Sequence, residues 1–235
     1  MTNQSFSYDP DDRLESDTYD ANGNTLTSAG STFGYDFEDR PTTFNGGNVT
    51  MIYDGDGNRI VRTADGTASR YLIDDQTPLH HAQVAEEVVA GTVVAQYTYG
   101  PMRISQNRAG TVSYYGYDGG GSVRQLFDAS GAITDTYTYD AYGNTVAQNG
   151  TTVNSFLYRG EQFDTTLGMY YQRARYYIPR TGRFLTADTF APKQFGGCPQ
   201  IAPGLPLELT TFMFSGTPIL SIKSTRAGAG LLLLD

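Results

Sequence analysis

Tryptophan is absent from this 235-residue chain, cysteine occurs once and histidine twice. A single thiol, Cys198, forms no disulfide within the chain, so cysteine usage carries no compartment signal. His80 and His81 are neighbours, and adjacent side chains on a strand point to opposite faces. That argues for two surface residues over a shared metal pair. Charge is also sparse: 17% of residues are charged, and the balance is acidic, −9 overall. Such a balance argues against general affinity for nucleic acid or an anionic membrane. No apolar run approaches membrane-spanning length, since 231–234 is far too short, so no membrane insertion is expected. The opening MTNQSFSYDPDD is polar and acidic, unlike a signal peptide. An exported form would carry its signal elsewhere.

What the chain has in abundance is glycine (27) and tyrosine (18), with many threonines and asparagines. Glycine and asparagine serve turns, tyrosine and threonine serve strands, so the composition predicts an all-β fold with many tight turns. Internal repetition supports this. Tyr-Asp recurs at Tyr8-Asp9, Tyr19-Asp20, Tyr35-Asp36, Tyr53-Asp54, Tyr117-Asp118 and Tyr139-Asp140. After Asp20, Asp54 and Asp140 the run continues as Asp-x-x-Gly-Asn. The physical reading is a hairpin. Tyrosine ends one strand, aspartate accepts backbone N–H groups in the turn, glycine takes the positive φ, and asparagine starts the return strand. Further strands are expected over 67–73, 84–89 and 92–99, the last two joined at Ala90-Gly91. Periodicity also allows a short helix over 84–89, although its valines favour a strand.

The stretch 168–188, GMYYQRARYYIPRTGRFLTAD, concentrates aromatics and arginines and has no acid before Asp188. It closely resembles the end of the RHS repeat-associated core, the module typically written GLYYxRARYYDPxxGRFLxxD. The Tyr-Asp units resemble the YD repeats of the same family. On that resemblance, 1–106 are YD/RHS repeats and 107–188 the repeat-associated core. The residues that match the motif are Tyr117, Asp118, Tyr139, Asp140, Gly143, Gly168, Tyr170, Tyr171, Arg173, Arg175, Tyr176, Tyr177, Pro179, Gly182, Arg183, Phe184 and Asp188. The resemblance implies antiparallel hairpins wound into a spiral sheet, a partial shell of the β-cocoon kind. Two departures stand out. Ile178 replaces the family's aspartate before Pro179, removing a Tyr-Asp-Pro turn, and three glycines follow Asp118, which predicts a looser turn there.

After Phe190 the composition changes: residues 191–235 hold no tyrosine, no asparagine and half of the ten prolines. The family continues here with a segment resembling HxYxYxxNNPxNxxDPxG. Shifted by one reading frame, the codons for 218–228 permit Asn-Pro-Val-Asn-Lys-Val-Asp-Pro-Ser-Gly. That points to a frameshift between roughly Phe190 and Gly204; the bland alternative is a genuine Pro/Gly-rich linker. Either way 189–235 is expected to be a divergent, irregular tail that packs poorly.

Candidate chemistry is thin. Asp54-x-Asp56-x-Asn58 has the opening spacing of a Ca²⁺ loop, but Arg59 stands at its glycine position and Asp65 substitutes poorly for the closing glutamate. A turn role is favoured because Asp20-x-Asn22-x-Asn24 repeats the pattern. Arg173, Arg175, Arg180 and Arg183 read either as a phosphate patch or as guanidinium groups stacked on tyrosines and paired with acids, and the acidic chain favours the latter. Cys198 has no histidine nearby to activate it. In several members of the family the end of the core is an aspartic autoprotease, which needs two carboxylates sharing a proton. Asp188 matches one conserved acid, but the Asp-Pro-x-Gly segment is not encoded in frame, so no proteolysis and no cofactor are expected.

The resemblance therefore implies a non-catalytic fragment of a secreted or cell-surface shell. At full length such a shell would enclose a C-terminal toxin and engage a secretion apparatus, with no toxin here. The alternative is a carbohydrate- or cell-surface-binding module. That reading needs exposed tyrosines, and burial of Tyr114, Tyr115, Tyr137 and Tyr139 would discount it.

Overall fold

The alternation of buried and exposed residues in segments such as Thr92–Tyr99 and Ile133–Tyr139 makes strands with one face inward. The computed structural model describes residues 5–11, 13–76 and 81–188, and the backbone of 208–214 and 217–223. Among these there is no α-helix. The first four strands are β1 (Thr18–Tyr19), β2 (Thr25–Ser28), β3 (Ser31–Tyr35) and β4 (Pro41–Phe44). Next come β5 (Val49–Tyr53), β6 (Arg59–Ala64), β7 (Thr67–Asp74), β8 (Gln83–Val89) and β9 (Thr92–Tyr99). The wall ends with β10 (Arg103–Arg108), β11 (Thr111–Tyr117), β12 (Val123–Phe127), β13 (Ile133–Tyr139) and β14 (Thr145–Asn149). These strands pair in chain order as one 14-stranded sheet, each antiparallel to the next. The segment that periodicity left open between strand and helix is β8, and it runs without a break into the hairpin at Ala90-Gly91.

In such a meander successive turns emerge at alternate rims. One rim carries the Tyr-Asp turns. In each, the aspartate N–H donates to the carbonyl four residues on, as from Asp20 to Asn24 (3.0 Å), Asp54 to Asn58 (2.9 Å) and Asp140 to Asn144 (3.0 Å). The same aspartate's Oδ1 accepts the N–H groups two and four residues ahead, 2.8 to 3.0 Å away, at Asp20, Asp54 and Asp140 alike. Asp118 makes the same bonds, to Gly120 (2.9 Å) and Ser122 (3.0 Å). Its three glycines therefore do not loosen the turn. They admit a neighbour, because the Arg159 guanidinium donates to the Gly120 carbonyl at 3.0 Å. The opposite rim is built mostly from two-residue turns such as Ala29-Gly30, Asp65-Gly66, Ala90-Gly91 and Ala109-Gly110, both residues at positive φ. That is the hairpin turn whose twist matches the strands.

A second sheet of four short strands follows: β15 (Gln162–Asp164), β16 (Met169–Gln172), β17 (Arg175–Ile178) and β18 (Arg183–Phe184). Both of its faces are covered. Tyr171 and Tyr176 pack with Phe33, Phe44, Val49, Met51 and Ala64 of β3 to β6. Tyr170 packs with Val123, Leu126 and Tyr137 of β12 and β13. Neighbours on a strand face opposite ways, so the early and late parts of the wall lie against opposite faces of the small sheet. The wall winds round it as a partial shell, the all-β arrangement that the sequence predicts. Ile178 substitutes for the missing aspartate through its backbone: its carbonyl accepts the Gly182 N–H at 2.9 Å, closing the turn.

Residues 188–235 form a separate unit. Its described part is an antiparallel pair, β19 (Glu208–Phe214) with β20 (Thr217–Lys223). The remainder of the expected irregular tail, with Cys198, lies outside the described residues, as does His80.

Candidate functional site

The turn 140–144, the last Tyr-Asp unit, is a socket for the small sheet. Three backbone carbonyls in succession accept tyrosine hydroxyls from the following segment. Tyr158 donates to Ala141 (3.0 Å), Tyr177 to Tyr142 (2.9 Å) and Tyr170 to Gly143 (2.9 Å). The Asn144 side-chain amide donates to the Pro179 carbonyl at 3.1 Å. Two glycines permit this fit. A Cβ on Gly143 would lie 2.5 Å from the Tyr158 ring, and one on Gly182 would lie 2.9 Å from the Tyr142 ring. Burial pushes Asp140 up, but hydrogen bonds from the Asn144 side chain and the turn's N–H groups outweigh it and hold the carboxyl below its ordinary value.

From Tyr35 onward the tyrosine that opens a Tyr-Asp unit ties one hairpin to the previous one. Its hydroxyl donates to the first backbone carbonyls of the preceding return strand: Tyr35 to Thr25 (2.6 Å), Tyr53 to Pro41 (2.7 Å) and Tyr139 to Val123 (2.8 Å). Tyr117 does the same to Arg103 (2.7 Å), and Tyr99 to Val84 (2.9 Å). Burial pushes the Tyr117 hydroxyl up to about 12, against the pull of nearby Arg103. Desolvation likewise raises Tyr35, Tyr53, Tyr99 and Tyr139.

On the other face of the small sheet sits Arg59, a residue that sequence reasoning passed over. Its guanidinium lies over the rings of Tyr171 (4.2 Å) and Tyr71 (4.9 Å). One Nη donates to the Tyr176 hydroxyl at 2.7 Å and the other to Gln162 Oε1. Its neighbour on the strand's inner surface, Arg62, holds Asp164 through two parallel bonds, one at 2.7 Å. Arg103 is also buried, 3.1 Å above the Phe156 ring. An arginine in an alternating strand reads as a solvent-facing residue, so the only signal for these was the density of tyrosine around them.

The remaining motif residues fall at the sheet's turns and ends. Gly168 takes a positive φ of 66° in the β15–β16 turn and donates to Asp164 at 2.8 Å. Arg173 grips Glu161 by two bonds, 3.0 and 2.7 Å. Arg175 stacks on Phe184 at 3.8 Å, and Arg183 lies 5.2 Å from the Tyr8 ring centre. Arg180 and Asp188 are exposed. Asp54 spends both oxygens inside its own turn, on backbone N–H groups and on the Asn58 amide. Among the described residues no three His, Cys, Asp or Glu side chains converge as a metal-holding group. A further turn of the aspartate type, at Asp128, was missed because Phe127 stands where tyrosine stands elsewhere; Asp128 Oδ1 accepts from Ser130 (2.8 Å) and Ala132 (3.0 Å).

A tyrosine-tied hairpin wall wound round a docked four-stranded core defines a structural β-shell segment. No family model matches the chain. It is 37% identical over 185 residues to the tRNA3(Ser)-specific nuclease WapA of Bacillus spizizenii, covering 74% of this chain and 8% of that protein. The tRNA nuclease WapA of Bacillus subtilis is 36% identical over the same length, again 8% of it. Among solved structures, the Photorhabdus luminescens Tc holotoxin pore superposes with a TM-score of 0.58 at 19% identity, over 76% of this chain and 10% of that one. The chain is of the RHS type, and it spans about a tenth or less of the WapA nucleases and the Tc holotoxin chain.

Proposed function

We propose that this chain is a non-catalytic piece of an RHS-type carrier: a stretch of shell wall with its closing core. At full length the carrier, secreted or displayed at the cell surface, encloses and delivers a C-terminal toxin. The observation that carries the reading is the small sheet covered on both faces by the wall and docked by Tyr158, Tyr170 and Tyr177 on one turn. Side chains committed in this way hold a container together and leave few groups for chemistry. The much longer tRNA nuclease relatives and the Tc holotoxin fold neighbour fit a carrier whose active part lies elsewhere in the chain.

The coding DNA and the stretch beyond its stop codon test this. An Asp-Pro-x-Gly motif in the shifted frame over 218–228, followed by a toxin domain, is the expected result. An unbroken, unrelated continuation would remove it. The non-catalytic part is tested by intact mass after long incubation: the 25.6 kDa chain stays whole, and cleavage after the core would reject this reading. A sugar-binding role is less well supported by the tyrosines singled out for it. Tyr137 is buried, Tyr115 and Tyr139 pack against the cores, and Tyr114 alone is substantially exposed, at 42%.

A further inference from the structure

Every arginine that forms an ion pair among the described residues does so with a carboxylate at hand, as Arg62 does with Asp164 and Arg108 with Glu87. Arg59 and Arg103 are different. They are 2% and 6% exposed, and neither has a carboxylate within ion-pair distance among the described residues. Arg59 has one more unmet need: its Nε–H is buried with no acceptor. A buried cation that lacks both a counter-charge and one hydrogen-bond partner is costly unless something supplies them.

The two guanidinium groups line the same small void, where the wall meets the core segment. Asn58, Gln162, Glu161 and Arg173 complete its polar lining. Glu161 does not neutralise it, because both of its oxygens are held by Arg173. Three positive charges and one negative therefore surround the space. It offers about 30 Å³ to water-sized contents, room for about two waters. The Arg173 side chain at its border is 38% exposed, which leaves a way in from solvent.

We propose that this void is an anion site that takes a small carboxylate between Arg59 and Arg103. A carboxylate is planar and has two oxygens, so one faces Arg59 and the other Arg103 across the void that both residues line, the kind of pairing that guanidinium groups favour. Phosphate carries the same kind of charge but is tetrahedral and bulkier than formate or acetate, so it binds more weakly or not at all. The site lies on the seam between wall and core, so occupancy stabilises their docking.

Thermal unfolding of the whole chain in sodium acetate, against sodium chloride at matched ionic strength, is the test. At about ten times its dissociation constant a site-bound acetate raises Tm by roughly 3–5 °C over chloride. Arg103→Met abolishes that difference. A Tm that follows ionic strength alone, or an acetate shift undiminished in Arg103→Met, overturns the proposal. If Arg103→Met does not fold, NMR line broadening of ¹³C-acetate on the native chain decides. Saturable broadening, displaced by formate and unaffected by chloride, is expected; its absence rejects the site.

Discussion

The two rims of the wall are built from the same number of strands but by different means. On the Tyr-Asp rim most turns are closed by an aspartate that accepts two N–H groups, and Tyr35, Tyr53, Tyr99, Tyr117 and Tyr139 each tie a hairpin to the one before through the hydroxyl. On the opposite rim a pair such as Ala29-Gly30 or Ala90-Gly91 closes the turn by backbone conformation, and side-chain bonds are fewer there: Asp128 closes one turn, and Asn45 accepts the Thr32 N–H at another. The first rim is where the core docks, at 140–144. A hairpin has little apolar surface of its own and exposed edges. Joining hairpins by specific hydrogen bonds on one side sets the order of the winding; the other side needs only to turn the chain round.

Alkaline pH should break this division most thoroughly. Desolvation raises Tyr35, Tyr53, Tyr99, Tyr117 and Tyr139 in the folded chain, with Tyr117 at about 12. A raised tyrosine keeps its proton when folded and loses it when unfolded. The stabilisation is complete below about pH 10, the unfolded value, and disappears as pH rises toward and through 12. Each such tyrosine steepens the loss by about 1.4 kcal/mol per pH unit. Unfolding by circular dichroism and tyrosinate absorbance should therefore rise together in one sharp step above pH 10. Gradual tyrosinate formation in a chain that stays folded would show that the rim tyrosines are not held as described.

A single methyl group compares the rims directly. Gly143 and Gly110 share a similar backbone, φ 92° and 87°, yet a Cβ on Gly143 meets the Tyr158 ring at 2.5 Å and one on Gly110 meets nothing within 4 Å. Gly110→Ala costs only the conformational strain, about 1 kcal/mol, whereas Gly143→Ala adds overpacking and should cost about 3 kcal/mol or more. Urea melts of the two variants give the difference; equal costs would mean that the core does not seat on the 140–144 turn.

How much of this was legible beforehand follows from what each residue touches. The Tyr-Asp turns were readable because the bonds that close them lie within five residues, from Asp54 to Asn58 for instance. The same unit's other half was not, since the Tyr139 partner is the carbonyl of Val123 and no local pattern points there. The doublets Tyr170-Tyr171 and Tyr176-Tyr177 predicted strands, but alternation in a half-exposed sheet would have put one ring of each pair in water. Only the winding of the wall gives both rings a buried face. Arg59 was missed for a related reason: two of the three tyrosines around it, Tyr171 and Tyr176, lie more than a hundred residues away.

Removing one rim hydroxyl is a smaller perturbation. Tyr139→Phe keeps the ring against the core and deletes the bond to Val123, so it should cost about 1 kcal/mol. Tyr114→Phe, on an exposed ring with no hydrogen bond among those described, should cost nothing measurable. A Tyr139→Phe chain as stable as its parent would reduce the tyrosine ties to packing.

The smallest effect is expected on the plain rim, and its sign is opposite. Ala90 sits at φ 50°, a region that costs an alanine energy, followed by Gly91 at φ 78°. Asparagine tolerates this conformation far better, and Asn-Gly is the pairing such two-residue turns prefer. Ala90→Asn should thus stabilise the chain by about 0.5 kcal/mol, a rise of about 1–2 °C in Tm. No side chain depends on position 90, so nothing offsets the gain. At Asp54 no comparable improvement exists, because every oxygen of its carboxylate is already bonded within the turn. A turn closed by conformation alone has slack that one substitution takes up, and a turn closed by side-chain bonds has none. A melt in which Ala90→Asn lowers Tm would mean that this turn, too, is held by something beyond its own backbone.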